Sequence, residues 1–342
     1  MKSSMRTIFF SAIVAGLTSS LVSQSVLAEA RTIKIANWLP PVHHMTATLK
    51  AWGDELVKAS NGKLQVEVMS APLAKPNGQY DLAKNGIADI AWSVAAYHPK
   101  RFKLLVGAEL PFTASNAETS SVAAWTWYEK HGLVEKETAD TKLLTVFAHA
   151  PHAYHSSKPL ATLADFKDLK VRAGGAGVEI LKTLGAVPVF INAPGTNEAL
   201  TRGTIDATQF PWESVKGFRL AKITGHHLSV PGGTYAGLFF LTMSPKTWDS
   251  LTDSQKAAVT KVSGTFGARF IGQKWDAADQ AGIAAIKEAG GKINVLSDAE
   301  TDQLKQSIGF LRDNWIKTAS EEGVDGEALL ADLADIVAET SR

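Results

Sequence analysis

The sequence predicts an α/β protein of two helix-covered sheet units, joined by a hinge and braced by one long helix. Three observations predict it. A strand–helix alternation begins near Thr32, a second one begins near Leu143, and the stretch from Thr252 to Gly290 carries few strong helix breaks. Alternating strands and helices build parallel sheets with helices on their faces. The length of 342 residues allows two domains, each with its own core.

The composition narrows the function. Hydrophobic residues make up 45% and charged residues 20%, which is ordinary for a globular chain. Lys and Arg number 35 against 34 Asp and Glu, and this balance argues against a nucleic-acid partner. With no Cys, disulfides, iron–sulfur clusters, thiolate zinc sites and cysteine nucleophiles are all excluded.

The elements follow in order. Lys2 and Arg6 precede an apolar run from Ile8 to Leu17, then Thr18, Ser19 and Ser20 interrupt it, and small residues follow at Ala28 and Ala30. This is the layout of a cleaved secretory signal peptide over residues 1–28, short of the roughly 20 apolar residues that span a bilayer. Thr32 to Ala36 alternates as a strand. Met45, Leu49, Trp52 and Leu56 form one stripe of a helix that Asn61-Gly62 stops. Leu64, Val66 and Val68 mark a second strand, Tyr80 to Asn85 a short helix, and Asp89 to Val94 a buried strand. The second unit reads Leu143 to Phe147, Leu169 to Arg172, a helix from Val178 to Leu184, Val187 to Phe190, a helix from Asn197 and a strand from Ile205 to Phe210. Thr252-x-x-Gln255 is a capping box. The helix it opens, run to Gly290, would reach roughly 50 Å and brace both units. Lys292 to Leu296 returns a strand, and Ser297 and Asp325 each start a further helix.

The motifs of common enzymes are absent: there is no G-x-S-x-G, no phosphate loop and no H-E-x-x-H. Gly174, Gly175 and Gly177 follow Arg172 and place free N–H groups at a helix start, while the Arg supplies a planar fork that suits a carboxylate. An ordinary surface ion pair is the competing reading of that Arg. His149-x-x-His152-x-x-His155 has the residue type of a metal site, but Pro151 prevents the helix that would align it, and no metal or other cofactor is expected. His43-His44 follows Pro40-Pro41 in a strand-to-helix loop, where ligands of open α/β sheets bind. His226-His227 is given no role. Trp38, Trp92, Phe210, Trp212 and Tyr235 fall at or near strand ends and are candidates to line a pocket. Trp125, Trp127, Trp248, Trp275 and Trp315 read as helix packing.

The block Leu163-Ala164-Asp165-Phe166-Lys167-Asp168-Leu169-Lys170-Val171-Arg172, then Glu198-Ala199-Leu200-Thr201-Arg202-Gly203-Thr204-Ile205-Asp206-Ala207, then Leu238 to Leu241 followed by Trp248 to Gln255, resembles the periplasmic solute-binding proteins of tripartite ATP-independent (TRAP) transporters. The resemblance implies a two-lobed periplasmic binding protein fold that closes on one organic acid and delivers it to a permease of one small and one large membrane subunit. It also makes Arg172 the carboxylate clamp. It implies a division into residues 29–147 with 237–278, and residues 148–236 with 279–342. His152 and Phe210 stand where sugar-acid members carry Arg and Asn, so a sugar acid is not expected. The expected ligand is a monocarboxylate, aromatic or hydroxy/keto in its body, because Arg172 is the one permanent cation of the candidate set. In this reading Arg172 and the N–H groups of Gly174 and Gly175 hold the carboxylate, the five strand-end aromatics cover the body, and Asn37, His44, Gln79 and His152 meet its oxygens. The competing functions are a periplasmic enzyme with His44 or His152 as base, and a binding module for another importer or a sensor.

Overall fold

The computed structural model describes residues 30–113 and 115–342; the signal-peptide expectation lies outside them. No helix among the described residues is long and apolar enough to cross a membrane. Eleven strands occur among these residues: β1 (Arg31–Ile35), β2 (Leu64–Val68), β3 (Ile90–Val94), β4 (Lys142–Ala148), β5 (Ala153–Ser156), β6 (Lys170–Ala173), β7 (Val187–Phe190), β8 (Ala207–Phe210), β9 (His226–Ser229), β10 (Leu238–Met243) and β11 (Lys292–Val295). They form two sheets, ordered β2-β1-β3-β10-β4 and β11-β9-β5-β8-β6-β7.

Neither sheet is wholly parallel. In the first, β10 runs antiparallel to both β3 and β4; in the second, β5 runs antiparallel to both β8 and β9. These two strands are the ones the chain enters on crossing from one lobe to the other, after β4 and after β9. Every residue of β10 is buried, as a strand covered on both faces requires. The short strands β5 and β9 were not predicted, because each carries polar residues in a run of only four.

The helix His44–Ala59 buries the expected stripe of Met45, Leu49, Trp52 and Leu56. The long C-terminal helix is shorter than predicted. Helix Asp253–Lys261 ends, and Gly264, in the left-handed region at φ +57°, separates it from the helix Gly264–Glu288. These 25 residues still extend about 38 Å at ~1.5 Å per residue, and they pack on helix Ala117–Lys130 and β4 of the first lobe and on helix Glu213–Gly217 of the second. Two carboxylates fasten this brace. Asp276 accepts from the Ala117 and Glu118 N–H groups at 2.7 and 3.0 Å, capping a helix of the first lobe. Asp279 accepts from Glu213 N–H at 2.8 Å in the second lobe. Gly282 has no room for a side chain: a Cβ there would lie 2.0 Å from the Trp212 carbonyl oxygen.

The expected grouping of residues 279–342 with the second lobe is divided by the packing. Strand β11 joins the second sheet. Helices Phe310–Glu321 and Gly326–Thr340 instead lie against the first lobe. There Trp127 Nε1 donates to Leu329 O at 2.8 Å, Lys103 pairs with Glu322, and Asp332 meets both Lys130 and His131. Buried Trp315, Leu329, Leu333 and Ile336 extend the first lobe's core.

Candidate functional site

A small cavity of about 60 Å³ lies between the lobes, at the ends of β3, β6 and β8. Its volume limits an occupant to a small molecule. Arg172, the third residue of β6, is 4% exposed and reaches this space. Its guanidinium lies 4.1 Å above the Phe210 ring. Nε donates to Ile191 O at 2.9 Å, Nη1 to Gln209 O at 3.4 Å and Nη2 to the Tyr97 hydroxyl at 3.0 Å. No Asp or Glu among the described residues pairs with it, so a buried cation faces the cavity without a counter-ion, and two of its five N–H donors remain unused. Tyr97 belongs to the first lobe, and its hydroxyl also accepts from Ala193 N–H at 3.3 Å. One phenol therefore holds two groups of the opposite lobe.

Aromatic rings make most of the wall. Phe210 stacks on Phe218 at 5.4 Å, and Phe218 meets His43 at 5.0 Å. Phe239 stacks on Trp275 at 5.3 Å, and Trp38 stands 6.4 Å from Tyr97. Three buried nitrogen atoms on this wall have no hydrogen-bond partner: Trp38 Nε1, Trp275 Nε1 and His152 Nδ1. Buried polar groups are ordinarily hydrogen-bonded, so such atoms mark capacity for a ligand's oxygens.

The histidines here are neutral. His149 Nε2 accepts from Gly237 N–H at 3.1 Å, which leaves its proton on Nδ1 to donate to Ala150 O at 2.7 Å. Burial pushes His149 down to about 4. Burial and the neighbouring His149, stacked at 4.3 Å, push His152 well below the ordinary range.

At the other end, His43 and His44 of the first lobe approach Glu213 of the second, each placing Nε2 3.3 Å from Glu213 Oε2. These three side chains are the one group of metal-ligating type among the described residues. His43 Nδ1, however, accepts from Met45 N–H at 3.3 Å, so its proton sits on Nε2 and that atom is a donor, which does not fit a metal ion. Burial lowers His43 to about 4. Burial raises Glu213, but His43, His44 and Ser214 outweigh it and hold the carboxyl at about 2. The two directions compete, because Glu213 is lowered by a charge on His43 that burial itself discourages. With its proton on Nε2, His43 sets a neutral imidazole beside the Glu213 carboxylate at 3.3 Å.

Of the residues predicted from sequence, Arg172, Trp38, His152, Gly174, Phe210 and Tyr235 line the cavity. The others do not. Asn37 uses its amide on Thr46 Oγ1 and Leu39 O, which shapes the loop before His44. Gln79 donates to Ala74 O within its own lobe. Trp92 lies beneath Trp38, 5.0 Å away, as core. Trp212 faces His155 and a separate groove. His44 reaches Glu213 and Trp275 but not the cavity wall. The Gly174–Gly177 segment forms a turn in which Gly177 N–H donates to Gly174 O. Tyr97, Glu109, His149, Glu213 and Trp275 line the cavity and were missed. Trp275 was read as packing because its helical spacing is the same in either role. His227, given no role, pairs with His155 through Nδ1 atoms 2.8 Å apart.

Comparison with known proteins agrees with this architecture. Residues 35–318 match the model of the bacterial extracellular solute-binding proteins, family 7. A TRAP periplasmic solute-binding protein from Bordetella bronchiseptica, solved with bound mandelate, superposes with a TM-score of 0.86 at 30% identity, over 90% of this chain and 99% of that one. One from Rhodoferax ferrireducens, solved with copurified benzoate, gives 0.86 at 29% identity over 91% and 98%. A relative from Comamonas testosteroni, named an outer membrane transporter protein, is 27% identical over 92% of this chain and 94% of that protein. The chain belongs to the bacterial extracellular solute-binding proteins of family 7, the solute-binding proteins of TRAP transporters.

Proposed function

We propose that this protein captures an aromatic monocarboxylate between its lobes and hands it to a TRAP permease of one small and one large membrane subunit. The observation that carries the reading is Arg172: a guanidinium buried without an acid, 4.1 Å above the Phe210 ring, in a space walled by rings. A carboxylate supplies the missing charge with two parallel hydrogen bonds, and a flat body fits between ring faces. A second carboxylate would meet the ionised Glu213 or neutral histidines, which disfavours a dicarboxylate. The bound mandelate and benzoate of the two solved relatives support the same class. Binding rather than catalysis is favoured because His152 is driven from the range of a general base and no activated nucleophile stands beside it.

Isothermal titration with benzoate, mandelate and 3-hydroxybenzoate, alongside galacturonate and succinate, tests the assignment. Aromatic acids are expected to bind and to raise the unfolding temperature, as any ligand specific to the native state does. Tighter binding of succinate or galacturonate than of every aromatic acid would overturn it.

A further inference from the structure

Glu109 closes the short helical turn Leu105–Glu109 of the first lobe and is 2% exposed. It lies on the wall of the same cavity as Arg172. Its Oε1 accepts from Leu238 N–H at 2.7 Å, and it joins no ion pair among the described residues. Oε2 stands where the second lobe's glycine turn meets the first lobe. A Cβ built on Gly175 would lie 3.3 Å from this oxygen, with Ala96 and the Tyr235 ring beside it. Tyr97, next in sequence to Ala96, accepts from Arg172 Nη2, and Glu109 and Arg172 line the same cavity.

We infer that Glu109 is a second ligand-holding residue, present as the neutral acid and donating its O–H to an oxygen of the carboxylate that Arg172 holds. The inference rests on the aromatic-carboxylate reading above. A buried carboxyl with no ion-pair partner among the described residues is most stable with its proton on, and burial pushes Glu109 up to about 8. In that form it is a donor. Ionised, it would set a second negative charge against the ligand's own. The cavity thereby selects monoanions through a proton it carries, in addition to the guanidinium.

The groups around Glu109 leave the region between pH 6 and 9 nearly to it alone. Burial holds Tyr235 well above 10, His43 and His149 stay near 4, and burial with the neighbouring His149 holds His152 well below the ordinary range. Arg172 stays charged and Glu213 ionised. Asp279 on the brace, pushed up to about 8 by burial, titrates in the same range, and the His44 imidazole stands against Glu213 and Trp275.

The experiment is titration of benzoate and 3-hydroxybenzoate into wild type, Glu109→Gln and Glu109→Leu from pH 6 to 9. Wild-type affinity is expected to fall about tenfold between pH 7 and 9, as linkage to one proton near 8 requires. Glu109→Gln keeps a donor on Oε2's position and an acceptor for Leu238 N–H. It is expected to bind within about threefold of wild type at pH 7, with a flat profile. Glu109→Leu should bind about tenfold or more weakly at pH 7, the loss of a hydrogen bond to a charged group. A flat wild-type profile overturns the inference and leaves the ligand class standing. A pH dependence that survives in Glu109→Gln overturns it too, and assigns the proton to Asp279. Failure of every aromatic acid to bind at pH 7 overturns both readings together.

Discussion

Replacing Arg172 by Ala separates ligand recognition from fold maintenance. The side chain is 4% exposed, has no acidic partner, and spends three donors on Ile191 O, Gln209 O and the Tyr97 hydroxyl. In the free protein its burial is a desolvation cost that no counter-ion offsets, so its removal does not strand a buried anion. With ligand bound the situation reverses, and truncation leaves a carboxylate in a ring-lined space with no cation. Such losses are about 2–5 kcal/mol, and at ~1.4 kcal/mol per tenfold the dissociation constant rises by roughly 30-fold to a few thousand-fold. Calorimetry with benzoate or mandelate at pH 7 measures the change, and thermal unfolding of the unliganded variant checks the fold. Tyr97→Phe is the control: it removes the hydroxyl that spans the lobes but leaves the guanidinium, and should weaken binding far less. Arg172→Lys keeps the charge without the planar fork and should fall between the two. A dissociation constant for Arg172→Ala within threefold of wild type, in a variant that melts normally, would refute the assignment of Arg172 to the carboxylate.

Three other outcomes follow from the geometry. Gly282→Ala places a methyl 2.0 Å from the Trp212 carbonyl, so it should destabilise by about 1–3 kcal/mol or more and lower the unfolding temperature, where an unchanged melt would show the brace is not seated on that loop. Asp140 is buried enough to be raised, yet hydrogen bonds from Tyr80, Lys84 and Arg101 outweigh burial and hold it at about 2, below its ordinary 3.8. Its contribution is therefore complete above about pH 4 and lost as pH falls through 2, so Asp140→Asn should be less stable than wild type at pH 7, with the gap closing by pH 2 in circular-dichroism unfolding curves. Ligand contacts drawn from both lobes favour the closed state; small-angle scattering should show a smaller radius of gyration with benzoate than without, and identical curves would count against lobe closure.

The sequence carried the strands better than it carried the cavity. The apolar stripe Met45, Leu49, Trp52, Leu56 and the run Leu238 to Leu241 report burial directly, because hydrophobic periodicity is a local signal. The place of Arg172 at a strand end before a glycine turn left an ordinary surface ion pair open, and the family resemblance singled it out; the structure buries it on the cavity wall. Glu109, Tyr97 and Trp275 were not legible, because each is placed by a contact distant in the chain, with Leu238 N–H, Arg172 and Phe239 respectively, that no local spacing encodes. Trp38 and Trp92 show the limit most plainly: both read as strand-end tryptophans, yet Trp38 lines the cavity while Trp92, in the middle of β3, lies 5.0 Å beneath it as core. His155 and His227 pair only because β5 and β9 are neighbours in the sheet, a fact of topology. The overlong brace had a different cause: no spacing along the chain shows that Gly264 takes a positive φ, which interrupts the helix there.

One turn of the brace helix joins recognition to lobe geometry. Trp275 puts a ring and an unpartnered N–H on the cavity wall, Asp276 caps a helix of the first lobe, and Asp279 caps one of the second. A molecule seated against Trp275 therefore presses on the same turn that fixes both lobes. Separating the lobes must either bend this helix or release one of its two caps. Asp276 holds its lobe by two hydrogen bonds and Asp279 by one, and burial pushes Asp279 toward its neutral form at about 8, in which it accepts more weakly than a carboxylate. The second-lobe cap is thus the weaker of the two. Opening at this helix should begin with the contact between Asp279 and Glu213 N–H, the backbone of the same residue whose side chain meets His43 and His44 across the seam.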